Sequence, residues 1–96
     1  MSQFPSRKEV ERIKKMYPKG TRIQIERMND PYHPIERGTK GTVDHVDDMG
    51  NVHTKWDNGR TLSAIPGVDN FRKLTAQEIQ EEQQGMAVPK MEAQSL

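Results

Sequence analysis

Three histidines, His33, His45 and His53, are the side chains in this sequence best suited to holding a metal or moving a proton. His45 and His53 fall on the two arms of an expected hairpin over residues 42–56, with Asp44 and Asp47 beside them. A metal would need three or four such donors converging with fixed geometry. The chain has no cysteine, its histidines lack helical i, i+4 spacing, and the expected register sets His53 opposite Val46. The two rings therefore read as surface histidines, and no metal or cofactor is expected. Ser63 and the threonines lie on short strands, without the strand-to-helix turn or positioned base that a nucleophilic hydroxyl requires. Asp47 and Asp48 stand next to Gly50 and read as turn residues. A body this small also lacks room for a pocket of enzyme size. No catalytic residue is assigned, and the expectation is a protein that is not an enzyme.

Binding residues are easier to nominate. Residues 29–37 contain Pro31, Pro34, Tyr32 and His33 and can only form a loop, long for so small a domain. A proline-braced loop either packs its aromatic back on the body or presents it to a partner. Trp56, the one tryptophan, fills the core or turns its ring edge toward that loop, as the aromatic grooves of peptide-binding domains do. Asp30, Tyr32, His33, Trp56 and Phe71 are the protein-binding candidates. The alternative is nucleic-acid binding, with Lys14, Lys15, Lys55, Arg60, Arg72 and Lys73 as phosphate contacts and a steep dependence on salt.

The elements that must position these residues follow from pattern. Ser6 and Glu9 form a capping box ahead of Val10, Ile13 and Met16 or Tyr17, which predicts an amphipathic helix over residues 7–16, stopped by Pro18 and Gly20. Residues 21–28 alternate with Ile23 and Ile25 on one face, a half-buried strand. Residues 42–47 form a second strand, in which Val43 and Val46 both point inward only if a bulge lies near Asp44 and His45. Residues 52–56 return, with Val52, Thr54 and Trp56 on one face. Asp57-Asn58-Gly59 turns the chain into residues 60–65, with Leu62 and Ile65 inward, and Pro66-Gly67 ends that strand. Residues 68–74 contribute Phe71 and Leu74 through a closing strand or a 3₁₀ turn. Thr75 and Glu78 form another capping box, opening a polar helix over residues 76–84, and the remaining tail has no periodicity.

Composition sets the outer limits. The 96 residues suffice for one domain, and 31% hydrophobic content with a mean hydropathy of −0.99 means a small core with polar ends. Residues 1–20 hold six basic and two acidic side chains, residues 21–74 hold eight of each, and residues 75–96 hold one basic and four acidic. A basic head, neutral body and acidic tail do not make the concentrated positive face of a strong nucleic-acid binder. The lack of cysteine and of any long apolar run points to a cytoplasmic protein with no membrane segment. Short strands with regular turn signals in about 55 residues predict a small SH3-like barrel of four or five antiparallel strands. The expected organisation is an N-terminal helix in residues 1–18, the barrel in 19–74, and a polar helix and disordered tail in 75–96.

Several motifs together carry a resemblance. Tyr17-Pro18-Lys19-Gly20-Thr21-Arg22, Asp30-Pro31-Tyr32, Gly38-Thr39-Lys40-Gly41-Thr42-Val43, Val46-Asp47-Asp48, Trp56-Asp57-Asn58-Gly59 and Ile65-Pro66-Gly67-Val68-Asp69, ending at Phe71, are similar to a small bacterial and phage family. That family is catalogued as a domain of unknown function, number 4314 of its series. The resemblance spans residues 17–74 and implies a short protein of phages and mobile elements, in the cytoplasm of a bacterial host, without a defined activity. The hairpin from Val52 to Gly59 also resembles SH3-like domains of the Mib/HERC2 and KOW types, whose members bind peptides, proteins or RNA. The expectation is a protein-interaction module engaging a host or phage protein. Its oligomeric state is open.

Overall fold

The computed structural model describes residues 5–30, 32 and 34–87, and its chain order is α1 (Arg7–Met16), β1 (Arg22–Arg27), β2 (Lys40–Val46), β3 (Val52–Trp56), β4 (Thr61–Ala64), β5 (Asn70–Lys73) and α2 (Ala76–Ala87). The first helix begins where the capping box places it: the Glu9 N–H donates to Ser6 Oγ at 3.1 Å. Glu9 does not complete the box in return; its carboxylate pairs with Arg12 one turn on. Val10 and Ile13 are the buried face of α1, and they seat it over the end of the core nearest Gly50.

The five strands form one antiparallel sheet in the order β4-β3-β2-β1-β5. β1, β2 and β3 alternate as half-buried strands must. Ile23 and Ile25 of β1, Val43 of β2, Val52, Thr54 and Trp56 of β3 and Ala64 of β4 line the covered face, and Arg22, Gln24 and Glu26 line the other. Ile35 from the β1–β2 loop enters the same core at 2% exposure. The expected barrel is corrected to an open sheet: among the described residues β4 and β5 pair with no strand beyond β3 and β1, so the ladder does not close.

Two local expectations change. The β2–β3 turn is a three-residue loop, with Asp47 and Asn51 facing each other and Gly50 at φ +84°, a turn type that needs a left-handed third residue. A bulge between Val43 and His45 then moves the register by one. The three-residue loop, on the other side of His45 from that bulge, sets His53 opposite His45 rather than Val46, and Val46 opposite Val52. The bulge also has the expected effect on the valines, since Val43 is buried and Val46 packs against the core. In β4 the inward residues are Leu62 and Ala64, while Ile65, expected inside, lies outside at 37% exposure because the strand ends at Ala64.

Gly41 sits inside β2. A Cβ there would lie 2.7 Å from both Thr54 Cγ2 and Trp56 Cε3, so glycine is needed for the close approach of β3 and not for a turn. The second helix has the full capping box, with Glu78 N–H donating to Thr75 Oγ1 at 3.1 Å and Thr75 N–H donating to Glu78 Oε1 at 2.9 Å. It runs to Ala87, past the expected end at Gln84. The expected disordered tail, from residue 88 onward, lies outside the described residues.

Candidate functional site

The loop between β1 and β2 is fixed at its base and open at its tip. Asp69, buried at 6% exposure in the turn between β4 and β5, accepts the Asn29 N–H at 2.8 Å and the Ile65 N–H at 2.9 Å. One carboxylate thereby ties the loop to the turn. Ile35 anchors the far limb in the core, its N–H donating to Met28 Sδ at 3.3 Å, and Arg60 donates to the Pro34 carbonyl at 3.2 Å. Between these anchors the Tyr32 N–H donates to Asp30 Oδ1 at 2.8 Å, a local turn that holds the Tyr32 backbone. The Tyr32 residue is 82% exposed, so of its two expected dispositions the outward one is observed. His33 lies outside the described residues.

Beside this loop runs a groove of about 240 Å³ lined by Met28, Asn29, Asp30, Leu62, Ile65 and Val68, among others. Val68 is 50% exposed and Ile65 37%. These two side chains also rim a second hollow of about 550 Å³, which reaches Met49 and the start of α1. The apolar surface around the β4–β5 turn is thus continuous on both sides of Ile65 and Val68. Of the two dispositions expected of Trp56 the core one is observed: it is 3% exposed, and its Nε1 donates to the Leu62 carbonyl at 3.0 Å. Phe71 is partly buried against the core, its ring 5.4 Å from that of Tyr17.

The histidines form a second feature, on the outer face of β2, β3 and β4. Their rings stack 4.4 Å apart at 8°. His45 Nδ1 bonds Asp44 Oδ2 at 2.7 Å, His53 Nε2 bonds Asp47 Oδ2 at 2.7 Å, and Ser63 Oγ bonds His53 Nδ1 at 3.2 Å. Burial pushes the Asp47 carboxyl up, but the bonds from His53, the Asn51 and Met49 N–H groups and the Asn51 amide outweigh it and bring it down to about 2. The hydroxyl, imidazole and carboxylate stand in series, a juxtaposition the expected register concealed. Both His53 nitrogens are engaged, and no group of three or more metal-binding side chains occurs among the described residues.

The phosphate-contact candidates are scattered. Lys14 pairs with Asp48 at 2.9 Å, Lys15 is exposed on α1, Lys55 is 4.0 Å from Asp44, and Lys73 lies 5.6 Å from the centre of the Tyr17 ring. Arg60 holds the loop. Arg72 meets Glu78 at 2.8 Å and Glu26 at 3.2 Å, and these hydrogen bonds, Glu78's first, raise its pKa further. Arg22, which the sequence did not single out, forms a two-pronged pair with Asp57 at 2.9 and 2.7 Å and also grips Glu82. Asp69 and Ile35 were likewise missed. Their signals are weak: an aspartate after Pro66-Gly67, and one aliphatic residue in a polar loop.

These features define a small, mainly β domain: an open five-stranded antiparallel sheet flanked by two helices, with a braced loop and an apolar turn side by side. Residues 6–74 match the family described as a domain of unknown function, DUF4314, and the chain belongs to that family. No curated protein and no solved structure matches it. No helix among the described residues is long and apolar enough to cross a membrane.

Proposed function

We propose that this protein is a non-catalytic protein-interaction module that takes an extended, apolar segment of its partner in the groove between the 29–37 loop and the β4–β5 turn. The observation that carries this reading is Tyr32, 82% exposed on a loop whose two limbs are fixed by Asp69 and Ile35. An aromatic held out on a rigid base loses little conformational freedom when a partner covers it. Val68 and Ile65 supply an apolar wall and Asp30 a carboxylate on the facing side. The strand order supports an SH3-like architecture, a barrel split along the β4 and β5 rims, with the peptide groove beside the long first loop. Family membership supports a partner from a bacterial host or from a phage or mobile element.

The test is selection of binders from a displayed random-peptide library on the intact chain, followed by calorimetry with Tyr32→Ala and Val68→Asp. Apolar peptides whose affinity falls about tenfold or more in both variants support the reading. A selection that yields no binder, or binders indifferent to both substitutions, overturns it.

A further inference from the structure

The two helices are attached to the sheet by different physics. α1 buries Val10 and Ile13, whereas no described side chain of α2 is buried. What holds α2 against the outer face is ionic: Glu82 on Arg22 of β1, and Glu78 on Arg72 of β5. A hollow of about 560 Å³ remains between them, lined by Arg22, Thr42, Asp57, Ile79 and Glu82, among others. The sequence of α2 contains three glutamates and no basic residue.

The face it covers is the complement. Register places Gln24 opposite both Lys40 and Arg72, and Thr42 opposite both Arg22 and Lys55. Arg22, Arg72, Lys40 and Lys55 therefore share the outer surface with the hydrogen-bonding side chains of Thr42 and Gln24. Asp57 lies within that surface and bonds Arg22. Asp44 and Glu26 also lie there, so the four cations are nearly balanced by their own face. The carboxylates of α2 tip the local sum to negative.

We infer that α2 is a displaceable acidic strap over a nucleic-acid-binding face, its Glu78 and Glu82 carboxylates occupying guanidinium groups that otherwise take backbone phosphates. Arginine binds carboxylate and phosphate with the same two-pronged geometry. A strap held by two half-buried ion pairs and little apolar burial yields to a competing polyanion more readily than a helix packed like α1, because a phosphate can replace each carboxylate on its guanidinium. The surface is separate from the peptide groove and does not depend on it.

The experiment uses a short fluorescein-labelled oligothymidylate and the full chain, followed by anisotropy at low and high NaCl. Glu78→Gln with Glu82→Gln removes the two charges, and glutamine at position 78 still serves the capping box. The expected result is an affinity about tenfold or more above that of the wild type, lost steeply as salt rises. Adding Arg22→Gln and Arg72→Gln should return it to the wild-type level, with Trp56 emission verifying the fold of each variant. An affinity unchanged in the double variant, or a gain that survives loss of both arginines, overturns the inference. Peptide binding at Tyr32 is read in the same proteins and is expected to be unaltered, which separates this failure from failure of the groove.

Discussion

His45 and His53 stand directly opposite each other across the β2–β3 ladder, their rings stacked 4.4 Å apart. The three-residue β2–β3 turn sets this pairing, and the bulge at Asp44 reconciles it with the Val43–Thr54 pairing of the rest of the ladder. Without the extra residue His45 would face Val52 and fall on the core side of the sheet. The same shift allows Asp47, at the corner of the turn, to reach His53 on the outer face.

That contact gives the fold an acid limit. Against the upward push of burial, its hydrogen bonds hold the Asp47 carboxyl at about 2 in the folded protein, below its ordinary value of 3.8. The unfolded chain therefore binds the proton first, and the stabilisation is complete above pH 3.8 and is lost as pH falls toward 2. Thermal melts at a series of pH values should fall over that window. Asp47→Asn should flatten the fall while lowering the melting temperature at neutral pH; an unchanged acid slope would refute the assignment.

Gly41 gives the sharpest packing test. Gly41→Ala places a methyl 2.7 Å from Thr54 Cγ2 and Trp56 Cε3, in a core with both neighbours buried. Overpacking of this kind costs about 1–3 kcal/mol. Urea unfolding followed by Trp56 fluorescence measures it, and a change within about 0.5 kcal/mol would mean that the strands separate freely there.

The helices should differ as their attachments do. Ile13→Ala removes a side chain 4% exposed and should cost about 2–5 kcal/mol. Ile79→Ala, on a helix with no buried described residue, should cost less than about 1 kcal/mol. Comparable losses at both positions would contradict the ionic attachment of α2.

Asp69→Ala leaves the Asn29 and Ile65 N–H groups without their acceptor, at about 1–3 kcal/mol for each group not reached by water. Hydrogen exchange at those two amides should accelerate together, and peptide affinity at Tyr32 should weaken although Asp69 itself is buried. Acceleration at only one amide would show that the carboxylate does not couple loop and turn.

The sequence made the regular elements legible because they rest on local rules. Ser6 and Thr75 mark helix starts by their own hydroxyls, and Ile23 and Ile25 mark a buried face by alternation. The bulge near Asp44 was legible from the spacing of Val43 and Val46, but the β2–β3 register was not, since the length of the turn decides it and one residue fewer in that loop moves His53 from Val46 to His45. Closure of the barrel was inferred from size, which does not determine whether two short rims meet. The brace at Asp69 and the grip of Arg22 on Glu82 join residues 40 and 60 apart in the chain, beyond any window that local periodicity can inspect.

The position of β5 has a kinetic consequence. Strands β1 to β4 follow one another in the sheet, so each pairing closes a short stretch of chain, but β5 must return to β1, with Lys73 against Ile23 and Phe71 against Ile25. The entropy of that long closure has to be met before its contacts return anything. The meander is the part that assembles first, and β5 joins late, carrying Asp69 and Arg72 into place. Shortening Phe71 should therefore speed unfolding and leave the folding rate nearly unchanged, so the loop brace forms after the meander and is lost before it.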